Sequence, residues 1–169
     1  MLRDKNLIPL SHQHQRALAL CVRIDRAQPI PDSDLEVWQA EIEQQFEQDI
    51  RIHFAAEEDV IFPAAREFAE LIPLTEELNA EHNSLRKSFC QAEERSMLPE
   101  DLIAFGQRLS DHIRKEERSL FERMQQLLKP AELASLGTRL EAALKNVIQS
   151  CALTSEATKL RSKVTNPPG

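Results

Sequence analysis

The sequence predicts an all-α protein, an up-down-up-down four-helix bundle with an extra C-terminal helix. Three observations carry that prediction. Apolar residues recur at helical spacing along four long stretches. The composition is rich in the helix formers Ala, Leu, Glu, Gln and Arg, while Gly is held to 3 residues and Tyr is absent. Proline marks the joins between the stretches, and short joins favour antiparallel neighbours. A chain of 169 residues suits one domain with a core that needs no disulfide.

Residues 1–9 read as an N-terminal arm ending at Pro9, and the first helix runs from about Leu10 to Ala27. Its inward stripe is Leu10, His14, Leu18 or Ala17, Cys21 and Ile24, and it stops before Pro29-Ile30-Pro31. Asp32, Ser33 and Asp34 offer N-cap oxygens for the second helix. One face of that helix carries Leu35, Trp38, Ile42, Phe46, Ile50, His53, Glu57 and Val60, and Pro63 should kink or end it. Pro73 and Thr75 open the third, with the stripe Leu78, His82, Leu85, Phe89 and Ala92. The fourth begins near Pro99 and carries Leu102, Phe105, Leu109, His112, Glu116, Leu120, Met124 and Leu127. Lys129-Pro130 precedes a shorter fifth helix over about 131–149, expected to lie across the outside. Periodicity fails from Ser155, so a domain over 1–154 and a disordered tail over 155–169 are expected.

Several classes fall away on composition. A net charge of -7 argues against a general nucleic-acid binder, which would show a basic face. No apolar run approaches the roughly 18 residues of a membrane span. The N-terminal MLRDKNLIPLSHQ lacks the apolar core of a secretory signal. Cys21, Cys90 and Cys151 are far apart with no CxxC pair, and read as small, reduced residues of a cytoplasmic protein.

Two kinds of polar residue interrupt the apolar stripes, and both ligate metals. The chain has 5 His, at positions 12, 14, 53, 82 and 112, and four of them sit on the inward stripe of a different main helix. His12 lies off the stripe. His53 and Glu57 are spaced i,i+4, one above the other on one helix face, and so are His112 and Glu116. A carboxylate and an imidazole in a core are costly unless something compensates them. The arrangement also repeats. His14, then His53 with Glu57-Glu58 and Ile61-Phe62, is followed by His82, then His112 with Glu116-Glu117 and Leu120-Phe121. Such a repeat suggests a pseudo-two-fold bundle around two cations. Four His and two Glu are six protein ligands, leaving open positions for a small ligand.

The segments LSHQHQRALAL, HFAAEEDVIFP, EHNSLR and HIRKEERSLF resemble, in order and spacing, the four helices of the hemerythrin-like, HHE cation-binding family. The resemblance covers about residues 8–128. It implies a four-helix bundle holding a non-haem di-iron centre, two iron ions bridged by two carboxylates and an oxo or hydroxo group. By motif it assigns His14, His53, Glu57, His82 and His112 as metal ligands. The chain departs from oxygen-carrying members at two places. Their third helix has HxxxH, and the second His falls here at Arg86, which cannot ligate. Their last carboxylate lies five residues after the His, at Glu117 here, whereas the internal repeat and the stripe favour Glu116.

The expected metal ligands are therefore His14, His53, Glu57, His82, His112 and Glu116. Two irons are the expected cofactor, although manganese and zinc suit the same ligands. The expected function is metal and small-ligand binding, with dioxygen, nitric oxide or peroxide as partner and homodimer formation left open. The alternatives are a di-iron ferroxidase or peroxidase and an iron- or oxygen-sensing module.

Overall fold

A computed structural model of the chain describes residues 2–145; it is all-helical, with five helices and no strand among the described residues. The first helix is Ile8–Arg26, with Pro9 in its opening turn, where a missing N–H costs nothing. Pro9 thus starts the helix instead of closing an arm. The second helix is a continuous rod over 35–65. Its α-helical stretches Leu35–Gln45, Arg51–Ala56 and Phe62–Ala65 alternate with two wide π turns, Phe46–Ile50 and Glu57–Ile61. Pro63 falls in the first turn after the second wide turn, and the helix runs two residues past it to Ala65. The third helix is Ile72–Glu93. The fourth spans 99–127 as Pro99–Lys115, a wide π turn Glu116–Phe121, and Glu122–Leu127. The fifth is described over 130–145. The rest of its expected length, Cys151 and the expected tail over 155–169 lie outside the described residues.

The apolar stripes meet in two clusters. One gathers Leu20, Ile24, Ile42, Phe54, Phe89 and Phe105, the other Leu10, Phe62, Leu78, Phe121, Met124 and Leu140. Phe54, Phe62, Phe105 and Phe121 are among the largest fully buried side chains. Burying each contributes about 1.5–3 kcal/mol. On the first helix Ala17 turns inward and Leu18 is half-buried, which settles the choice between them. The first helix packs on the fourth at Gly106, where an added Cβ would lie 3.4 Å from Ile24 Cγ2. The fifth helix supplies buried Leu133, Leu136 and Leu140 to the second cluster, so it completes the core at that end. Its Gly137 accommodates Asn6 of the N-terminal segment, since a Cβ there would fall 2.5 Å from Asn6 Oδ1.

Each of the four main helices carries its histidine between residues of the two clusters. Leu10 and Ala17 flank His14, Leu78 and Leu85 flank His82, and Leu109 and Leu120 flank His112 and Glu116. The fold therefore holds a thin polar layer between two dry ends.

Candidate metal centre

All six residues expected from the sequence come together in that layer. Glu57, His82 and Glu116 are 0% exposed, and His14, His53 and His112 between 2% and 4%. Each glutamate reaches its own i−4 histidine and one on another helix. Glu57 Oε1 lies 3.1 Å from His53 Nε2, and its Oε2 lies 3.4 Å from His82 Nε2. Glu116 Oε1 lies 3.2 Å from His112 Nε2, and its Oε2 lies 3.1 Å from His14 Nε2. The histidines pair as well, Nε2 to Nε2, at 2.8 Å for His14 with His53 and 3.1 Å for His82 with His112.

Two overlapping ligand groups result. His14 and His53 form one with Glu57 and Glu116, and His82 and His112 form the other with the same two glutamates. Within each group the ligand atoms lie within 4.8 Å of one another. Ligands at about 2.1 Å from one ion stand about 3.0 Å apart when adjacent, so the spacing is that of a coordination sphere. The carboxylate oxygens support the same fit. All four oxygens of Glu57 and Glu116 are buried and none has a hydrogen-bond partner of good geometry, although imidazole nitrogens stand 3.1–3.4 Å away. Buried charge in that state is costly without a cation.

A second layer fixes the histidine rings. His14 Nδ1 faces Glu117 Oε1 at 2.7 Å, His82 Nδ1 faces Glu58 Oε1 at 2.8 Å, and His112 Nδ1 faces Glu81 Oε2 at 2.8 Å. His53 Nδ1 faces Gln13 Oε1 at 2.9 Å. An acceptor at each Nδ1 keeps the proton there, and each neutral ring then offers a bare Nε2 lone pair to the centre. Paired lone pairs at 2.8 Å and 3.1 Å repel unless a cation or a proton lies between them.

The electrostatics agree with that reading. Burial is the largest influence on His14 and pushes its pKa down, yet hydrogen bonds to Glu116 and Glu117 raise it to about 10. His82, opposed by burial and lifted by Glu116, Glu57 and Glu58, also reaches about 10, and His112 about 9. Glu57 and Glu116 titrate below the usual carboxylate range although burial opposes it, because histidines surround them. Glu117, likewise opposed by burial and held by His14, Ser11 and Arg3, falls to about 2. The centre favours positive charge.

The two glutamates that enter the layer are Glu57 and Glu116, each the first residue of a wide turn. Such turns recur at functional sites. Their neighbours Glu58 and Glu117 take the second layer. Arg86, at the position where oxygen carriers have a ligand, turns instead to Glu58 at 2.8 Å and lies over the Phe54 ring. Arg3 does the same in the other half, 2.5 Å from Glu117 and over Phe121. His12 is exposed and is not brought in. The sequence pattern singles out neither Gln13 nor Arg3, leaves Glu58 either facing solvent or behind the central residues, and puts Glu81 on a solvated face. The available signal was the doubled Glu of each HxxxEE run and the polar residue just before each lone His.

The profile of the hemerythrin HHE cation binding domain matches residues 9–124, which include all six of these residues. The chain belongs to this family. No curated protein matches it, and neither does any solved structure. Membership makes it a metal-binding protein, and the two His/Glu groups are those that could hold the metal. No helix among the described residues is long and apolar enough to cross a membrane.

Proposed function

We propose that this hemerythrin-family protein holds two iron ions in an up-down-up-down bundle and uses them to bind dioxygen or a related small ligand, nitric oxide or peroxide. The observation that carries the reading is that Glu57 and Glu116 belong to both ligand groups. A carboxylate has two oxygens, so both glutamates would bridge, with His14 and His53 on one ion and His82 and His112 on the other. The up-down order draws support from the short joins between helices and from the packing of the first on the fourth and the second on the third. Bound iron would supply redox change and ligand exchange. The chain's own residues hold the rings in one tautomer and exclude bulk water by the apolar clusters on either side.

Metal analysis of protein isolated without chelator tests this, with about two irons per chain expected. His53→Ala should lower both the iron content and the oxidised-iron absorption, and retention of both would sink the proposal. A di-iron ferroxidase or peroxidase is the second reading, favoured by Arg86, which removes one imidazole and leaves more coordination space. Multiple turnovers of peroxide per chain would select it over simple binding.

A further inference from the structure

The two halves of the centre match almost residue for residue, with one exception in the second layer. His14 and His82, the lone histidines, are backed by Glu117 and Glu58. His112 is backed by Glu81, which lies just before His82 in the chain. By the same register His53 is backed by the residue just before His14, and that residue is Gln13, a neutral amide. The three carboxylate contacts are 2.7 to 2.8 Å, and the amide contact is 2.9 Å.

A carboxylate on Nδ1–H pushes electron density toward Nε2 and adds a negative charge near the ion, whereas an amide carbonyl does less of the first and none of the second. Lys115 tempers Glu81, but Lys115 is itself shared with Glu77, so the His112 side keeps the greater negative charge. A narrow cavity of about 10 Å³, room for about one water, adjoins His14, His53 and His112 and has half-buried Gln13 and Asp49 among its lining residues. It touches both histidines of the Gln13 half and one of the other. The half with the weaker support is also the more accessible.

Resting on the dinuclear reading above, we infer that Gln13 makes the two cation positions unequal, so that the His82–His112 position fills first and the His14–His53 position fills second and holds its ion more weakly. Gln13 is then a positioning residue that sets the loading order through His53.

The test is a titration of metal-free protein with Co(II), repeated with Fe(II) under argon, resolving two binding steps. Gln13→Glu should tighten the weaker step by about tenfold and leave the stronger step unchanged, in line with the 10–100-fold weight of such outer partners. Glu81→Gln should weaken the stronger step by a similar factor. In the wild-type background His53→Ala should abolish the second step alone. In the Gln13→Glu/Glu81→Gln background it should abolish the first. If Gln13→Glu fails to fold, Gln13→Ala should weaken the second step alone. Both steps unchanged to within about twofold in these variants, or both shifted together, would overturn the inference while leaving the dinuclear site standing. A chain that takes up no cation, or only one, would remove the dinuclear reading and the inference with it.

Discussion

The first two helices and the next two carry the same plan, and the details in which they differ show what the plan requires. Both halves keep a lone His, an HxxxE pair, a second Glu on the opposite lone His, and an Arg holding that Glu. Each Arg also lies over a phenylalanine stacked on that half's lone histidine, Phe121 on His14 and Phe54 on His82. What differs is where the Arg comes from. Arg86 sits on the third helix, close in sequence to His82, whereas Arg3 comes from the segment before the first helix. The six inner residues are presented alike by rigid helices, and the outer support is assembled from whatever element passes nearby.

The largest effect should follow from removing what the halves share. Glu116→Ala takes one residue from both candidate groups, so on the proposed dinuclear reading metal content should fall from about two ions per chain to nearly none. The metal-free variant should be less stable than the metal-free wild type, because the buried histidines that hold the Glu116 carboxyl well below the usual range lose their counter-charge. Retention of one full ion would show that Glu57 alone suffices as the carboxylate of one position.

Next come the matched outer carboxylates. Glu58→Gln and Glu117→Gln should each weaken metal binding by roughly 10–100-fold, to similar extents, since each backs a lone histidine. Equilibrium binding of Co(II) to the two variants checks this. A loss in only one of them would mean that the symmetry stops at the inner ligands.

The two arginines should separate more. Arg3 also donates to the Glu117 carbonyl and to Gln125 Oε1, and its exposure of 18% is half that of Arg86. Arg3→Ala should cost about 1–2 kcal/mol of stability, and Arg86→Ala less than about 1 kcal/mol. Paired denaturant titrations would read the difference, and equal losses would contradict the account of Arg3 as the tie between the N-terminal segment and the fourth helix.

A smaller effect distinguishes the thiols about two turns past each lone histidine. Cys21 lies inward, where burial raises its pKa to about 12, while Cys90 sits one residue beyond the inward Phe89 and is exposed. In a Cys151→Ser background at pH 8, one thiol should label at once and the second only on unfolding. Mass mapping should place the fast label on Cys90.

The same comparison shows what the sequence made legible. Helix number, the inward face of each helix and all six central residues followed from spacing, because a polar residue on an otherwise apolar stripe is conspicuous. The choice of Glu116 over Glu117 as the residue that enters the layer followed from the repeat and the stripe. The outer partners did not follow, since Gln13, Glu81 and Arg3 are polar residues off the stripe and look like any solvated face until the neighbouring helix is in place. The wide turns at Glu57 and Glu116 left no mark in composition, because every residue in them is one that an ordinary helix accepts.

The smallest effect lies where the halves end their first helices differently. The first helix closes at Ala27 with ordinary right-handed backbone before Pro29. The third closes with Arg95 at φ 56, its N–H bonded to the Ala92 carbonyl and that of Ser96 to the Gln91 carbonyl. This is a left-handed helix stop, which glycine fills most easily. A non-glycine residue there costs roughly 1–2 kcal/mol. Arg95 recovers part of that cost through its exposed ion pair with Glu43 at 2.7 Å, worth no more than about 1 kcal/mol. Arg95→Gly should therefore stabilise the protein by a few tenths to about 1 kcal/mol, with metal binding unchanged because the turn lies at the end of the bundle away from the polar layer. A loss of stability in a denaturant titration would mean that the Arg95 side chain, through Glu43 and the Ala92 carbonyl, holds the third helix against the second more firmly than its exposure implies.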